Sequence, residues 1–197
     1  ISQFCIIVNS AERYKMAIIS KTVVPDVALV DPETTLSMDP YLTACTGMDT
    51  LTHAIEAYVS TACSPIVDVH ALAAIRLVSG NLEQAVLAPA ELPARENMML
   101  ASLQAGLAFS NASLGAVNAM AHSAGGFLDL PHGECNALLL EHVVRFNMTA
   151  APERYRQVAE AMGIDTRGMD AKTVTVRVTE ALANLRRRVG IADGLAA

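Results

Sequence analysis

The spacing of apolar residues changes once along this chain, near Ser37–Pro40, and that change constrains the fold more than any other feature. Before it, apolar residues come in short continuous runs: Phe4 to Val8, Met16 to Ser20, and Val27 to Val30. Pro25-Asp26 and Asp31-Pro32 bound the last run. Runs of this length between turn residues predict strands. After the change the period becomes helical. Ser64-Pro65 supplies an N-cap and a proline at the first helical position, and Val67, Ala71, Ala74, Ile75 and Val78 follow on one face. Pro93 opens another helix through Met98, Met99, Leu103 and Leu107. An apolar segment over 114–123 is expected to end at Gly125-Gly126. Further helices are expected over Glu134 to Phe146, over Pro152 to Met162 with Gly163 as the stop, and over Asp170 to Val189. The expected class is mainly α: a helical bundle over 39–197, preceded by a few strands over 1–38.

Composition supports close helix packing. Hydrophobic residues make up 52% of the 197 and aromatics only 4%, with no Trp, so the core must be Ala, Leu, Val and Met. A net charge of −6 supplies no basic field for phosphates and excludes a nucleic-acid binder. The one basic cluster, Arg186-Arg187-Arg188, is expected to meet the negative end of a helix dipole. No apolar run reaches the roughly 18 residues of a membrane span. Cys5, Cys45, Cys63 and Cys135 lack any C-x-x-C spacing and read as reduced core thiols of a cytoplasmic protein. The chain opens on a strand without an initiator Met, as the inside of a longer protein would.

Chemistry concentrates in four side chains. Asp49 and His53 stand four apart, so a helix turns both to one side. His122 and His132 stand ten apart, with Gly125-Gly126 between them to let the backbone fold back and Leu130-Pro131-His132-Gly133 as a turn. One carboxylate and three imidazoles, without a thiolate, can hold a divalent Lewis acid. The same residues can also be a surface Asp–His pair, a helix-capping His and a turn His. His70 and His142 read as structural, His142 in a half-buried hydrogen bond, and Glu56 and Asp68 as solvated or capping carboxylates. No G-x-G-x-x-G, Walker A or G-x-S-x-G motif occurs.

Several ordered motifs then match a known pattern. Val27-Ala28-Leu29-Val30-Asp31-Pro32, Gly47-Met48-Asp49-Thr50-Leu51-Thr52-His53-Ala54-Ile55-Glu56-Ala57-Tyr58, Ala119-Met120-Ala121-His122 and Leu130-Pro131-His132-Gly133 resemble the iron-containing (group III) alcohol dehydrogenase family. The resemblance implies an N-terminal α/β dinucleotide-binding domain, of which residues 1–38 would be the last strands. It also implies an all-helical, dehydroquinate synthase-like metal and substrate domain over 39–197, cut short at its C-terminus. It implies hydride transfer between NAD(P) and a small primary alcohol or aldehyde, with Fe²⁺ or Zn²⁺ on the substrate oxygen, in a cytoplasmic homodimer. Asp49, His53 and His132 would be metal ligands, and His122 a non-ligand histidine that relays a proton. Phe109 would line the nicotinamide pocket, and Lys15 would contact the cofactor ribose. Two departures stand out. Asn118 occupies the position of the family's fourth ligand, a His, and an amide oxygen is the poorer donor, so weaker metal binding is expected. The family's Gly-rich pyrophosphate loop would lie before residue 1, so the isolated chain is expected to be catalytically weak or inactive. Two other readings remain open here: a metal-free regulatory or scaffolding paralogue, and a polyol (glycerol-type) dehydrogenase or dehydroquinate synthase relative.

Overall fold

The computed structural model describes residues 2–9, 11–12 and 14–194. An antiparallel hairpin comes first, β1 (Phe4–Asn9) paired with β2 (Tyr14–Ile19), in a register that sets Val8 opposite Lys15. Seven helices follow among the described residues: α1 (Pro40–Val59), α2 (Pro65–Leu87), α3 (Leu92–Ala112), α4 (Ala116–Phe127), α5 (His132–Asn147), α6 (Pro152–Ala161) and α7 (Ala171–Arg188). The mainly helical class is as the sequence predicts. Proline opens α1, α2, α3 and α6 within their first two positions, where a missing N–H costs nothing. Ser64 and Asp170 cap α2 and α7 through their side chains, and Gly163 ends α6 in the left-handed region.

α1 is the axis of the bundle. Met48, Leu51, Ala54 and Ala57 are fully buried on it, and α2, α3 and α5 pack around it. The small residues Ala71 and Ala74 of α2, and Ala101 and Ala108 of α3, let these helices approach closely, as the scarcity of aromatics requires. Thr43, Thr50 and Thr52 are buried because their hydroxyls donate to the carbonyls of Asp39, Thr46 and Met48 one turn back. The arginine cluster closes α7 as expected, but Arg186 is buried and donates to Asp193 at 2.8 Å. No helix among the described residues is long and apolar enough to cross a membrane.

The structure corrects five local expectations. Val27 to Val30 forms no strand. It pairs with no strand among the described residues, and Val27 and Leu29 are 73% and 90% exposed. Gly125 and Gly126 do not stop α4 but lie inside it. The chain reverses at Leu128 to Pro131 instead, where Asp129 takes a φ of +56° that its short polar side chain tolerates. His132 is therefore not a turn residue but the first residue of α5. His142 is not half-buried, its side chain being 67% exposed. Only Cys45 and Cys135 are core cysteines; Cys5 is exposed and Cys63 lies between, and all four are free.

Candidate metal centre

Three helices each turn an i, i+4 pair toward one place: Asp49 and His53 from α1, Asn118 and His122 from α4, His132 and Asn136 from α5. One donor atom from each of Asp49, His53 and His132 lies within 4.8 Å of the others. Asp49 Oδ1 is 3.5 Å from His53 Nε2 and 3.7 Å from His132 Nε2. Asn118 Oδ1 is 3.1 Å from the same His132 nitrogen. Donors on a tetrahedral first-row divalent ion, with bonds of about 2.1 Å, stand about 3.4 Å apart.

The fit can be judged from hydrogen-bond supply. Asp49 Oδ1, Asn118 Oδ1 and His132 Nε2 all face Asn136 Nδ2, which has two hydrogens for three acceptors. His132 can help only by carrying its proton on Nε2, and its Nδ1 is buried without a partner. Asp49 Oδ1 and Asn118 Oδ1 can only accept, and with the imidazole lone pairs they line a partly closed space that suits a cation. The oxygen and imidazole donors suit Fe²⁺ or Zn²⁺. The residues present fit a divalent ion.

Glu56 is not solvated but takes the other role expected of it, capping the start of α4, and it also sets the orientation of Asn118, which the sequence reading missed. It lies one helical turn beyond His53, 5% exposed, and its carboxylate accepts from the backbone N–H groups of Gly115 and Val117 at 2.9 and 2.7 Å. Those groups begin α4, whose own N-cap, Gly115, offers no side chain. The carboxylate also accepts from Asn118 Nδ2 at 2.8 Å. A carboxylate only accepts, so the amide nitrogen must face Glu56 and the amide oxygen must face the histidines. Asn136 was likewise missed; its signal was the i+4 spacing from His132.

The other expected residues gather at the rim. His122 stacks on His132 with ring centres 4.4 Å apart, yet lies outside the three-residue donor cluster. Burial lowers its pKa, with the Lys15 ammonium adding to the effect. Lys15 reaches from β2 to Gly125, where a Cβ would lie 3.2 Å from its Nζ. Phe109 of α3 packs its ring 4.7 Å from that of His53 and 5.8 Å from that of Phe4. A cavity of about 520 Å³ opens beside Asp49 and His53, walled by Phe109, Leu103 and Met99. His70 stands apart, bonded to Gln104, and Asp68 pairs with Arg154 at 2.5 Å.

Burial also pushes the His132 pKa down to about 4, against the opposing pull of Asp49. The folded chain therefore holds this imidazole neutral. Above pH 6.5 it is neutral in both the folded and unfolded states. As pH falls from 6.5 toward 4, the unfolded chain takes up a proton that the folded chain refuses, so stability is lost across that window. Urea unfolding of the ion-free protein should show this loss, and a shallower one in His132→Gln. An identical pH profile in the two proteins would rule the cause out.

Comparisons with known proteins identify the family. Residues 43–197 match the model of the Fe-containing alcohol dehydrogenase family, C-terminal. The chain is 45% identical to a 1,3-propanediol dehydrogenase of Citrobacter freundii, over 99% of this chain and 50% of that protein. It is 38% identical to an NAD-dependent methanol dehydrogenase of Bacillus methanolicus, over 99% and 51%. It superimposes on an alcohol dehydrogenase from Oenococcus oeni with a TM-score of 0.94 at 38% identity, covering 98% of this chain and 50% of that one. The chain thus spans about half the length of the relatives it matches. A match of this extent, with the helical bundle and its converging donors, shows that the chain belongs to the iron-containing alcohol dehydrogenase family.

Proposed function

We propose that this chain is the metal-holding portion of an NAD(P)-dependent dehydrogenase that interconverts a small primary alcohol and its aldehyde. The observation that carries this reading is the convergence of Asp49, His53 and His132 within 4.8 Å, with the Asn118 oxygen turned to join them. In this reading those four residues hold Fe²⁺ or Zn²⁺. Such an ion, when bound, polarises the substrate oxygen and favours alkoxide character. The protein's own groups do the rest. Phe109 braces His53 and gives the cavity an apolar wall for a flat nicotinamide and a short carbon chain. His122, held neutral by burial, offers an unpartnered Nδ1 that can hold a proton. Lys15 brings a cation to the rim, suited to a cofactor ribose hydroxyl.

The similarity to enzymes named for 1,3-propanediol and methanol supports small alcohols and NAD over the polyol reading. The grip of Glu56 on Asn118 speaks against a metal-free paralogue, because it spends a buried carboxylate on aiming an amide oxygen at the site. A cytoplasmic homodimer belongs to the same reading and rests on the family resemblance alone.

The full-length protein decides the matter. It should retain divalent metal after incubation with Fe²⁺ or Zn²⁺ and reduce NAD(P) with short alcohols. Absence of both sinks the proposal. Asn118→His should tighten Zn²⁺ binding by about tenfold or more, since imidazole can donate to Glu56 from one nitrogen and coordinate with the other. Unchanged affinity would mean that residue 118 does not face the ion.

A further inference from the structure

Asn136 is fully buried, and its position is hard to explain as packing. Its Nδ2 lies 3.2 Å from His132 Nε2 and 3.3 Å from Asn118 Oδ1, and donates to Asp49 Oδ1 at 2.5 Å. The first two separations are those of neighbouring donors around one first-row ion, about 3.4 Å at bonds of about 2.1 Å. The amide end thus stands near a further ligand position, and its 2.5 Å contact with Asp49 must lengthen when an ion separates the two. Its other end, Oδ1, is buried with no hydrogen-bond partner.

We propose, on the metal reading above, that Asn136 is an additional metal ligand, its amide turning end for end between the ion-free and ion-bound states. The energetics follow from counting partners. In either orientation one end faces the site and the other faces the partnerless side, so the orientations differ in what the site prefers. Without an ion, Asp49 Oδ1 and Asn118 Oδ1 can only accept, and the amide nitrogen is favoured. With a cation among them, the nitrogen's hydrogens meet positive charge, and the oxygen is favoured. Rotation about the side chain's last torsion, a soft one, exchanges the two ends without moving α5. The amide oxygen of Asn136 then adds to that of Asn118, offsetting the weaker donor at position 118.

An alternative role makes the opposite prediction. If Asn136 only holds Asp49 by donating to it, an acceptor at 136 should harm the site. Zn²⁺ should therefore be titrated into the full-length protein and its Asn136→Asp, Asn136→Ala and His132→Ala variants, against a competing chromophoric chelator. Co²⁺ spectra of the same proteins would report coordination. The proposal expects Asn136→Asp to bind Zn²⁺ about tenfold tighter or more, with an altered Co²⁺ visible spectrum, and Asn136→Ala to bind about tenfold weaker. Weaker or unchanged binding by Asn136→Asp, alongside loss of binding in His132→Ala, overturns the role of Asn136 and leaves the metal centre standing. Undiminished binding by His132→Ala overturns the metal centre itself. Circular dichroism of each variant separates a binding change from a folding one.

Discussion

Gly133→Ala is expected to disrupt the proposed metal site by a single methyl group that never touches an ion. A Cβ at this position would lie 2.2 Å from the backbone oxygen of Cys45 and 2.6 Å from its carbonyl carbon. Backbone atoms in the middle of α1 have no rotamer to change, so α5 must move away from α1. His132 is the adjacent residue on α5, and Asp49 lies one turn beyond Cys45 on α1, so the same movement pulls the two donors apart. Overpacking of this kind costs about 1–3 kcal/mol of stability. Metal affinity should fall about 10- to 100-fold, as ligand geometry is lost. Zn²⁺ titration and urea unfolding of the full-length variant read both effects. Wild-type affinity in Gly133→Ala would show that the contact between α1 and α5 does not set the site.

Glu56→Ala should have an effect of similar size by another route. Its carboxylate is the shared acceptor for Gly115 N–H, Val117 N–H and Asn118 Nδ2. Removing it leaves the buried Val117 N–H and Asn118 Nδ2, and the more exposed Gly115 N–H, without their acceptor at the start of α4, a loss of about 2–4 kcal/mol. Asn118 then becomes free to rotate, and Zn²⁺ binding should weaken by about 10- to 100-fold. Glu56→Gln keeps the shape but sets an NH₂ group against at least one N–H donor, so it should cost about 1–3 kcal/mol. If Glu56→Ala unfolds at the wild-type urea concentration, the cap is dispensable and the orientation of Asn118 has another cause.

How much of this was legible beforehand depends on the range of the interaction. Helix starts were legible because Pro and the capping residues Ser64 and Asp170 act within three or four positions of themselves. The Asp49–His53 pair was legible for the same reason. Where a partner from another element decides, local reading failed. Gly125-Gly126 looked like a stop, but α4 runs through both glycines. The lack of a Cβ at Gly125 serves close approach there, with the Leu130 carbonyl 3.1 Å from where that atom would lie. Val27 to Val30 reads as a strand, but a strand forms only against an edge, and it pairs with none among the described residues. The hold of Glu56 on Asn118, and Asn136 altogether, passed unnoticed because a lone Glu or Asn on a helix carries no such signal until the acceptors and donors of α1, α4 and α5 converge.

The sequence by itself determined the helical class, most helix starts, the Ala-rich packing and the side-chain types of the candidate site. These follow from periodicity, capping chemistry and side-chain type, each of which operates locally. Only the tertiary structure decided that three i, i+4 pairs meet and that the amide of Asn118 turns its oxygen inward. Those outcomes depend on sub-ångström relations between helices far apart in the chain, set by contacts such as Gly133 against Cys45 and Glu56 against the start of α4.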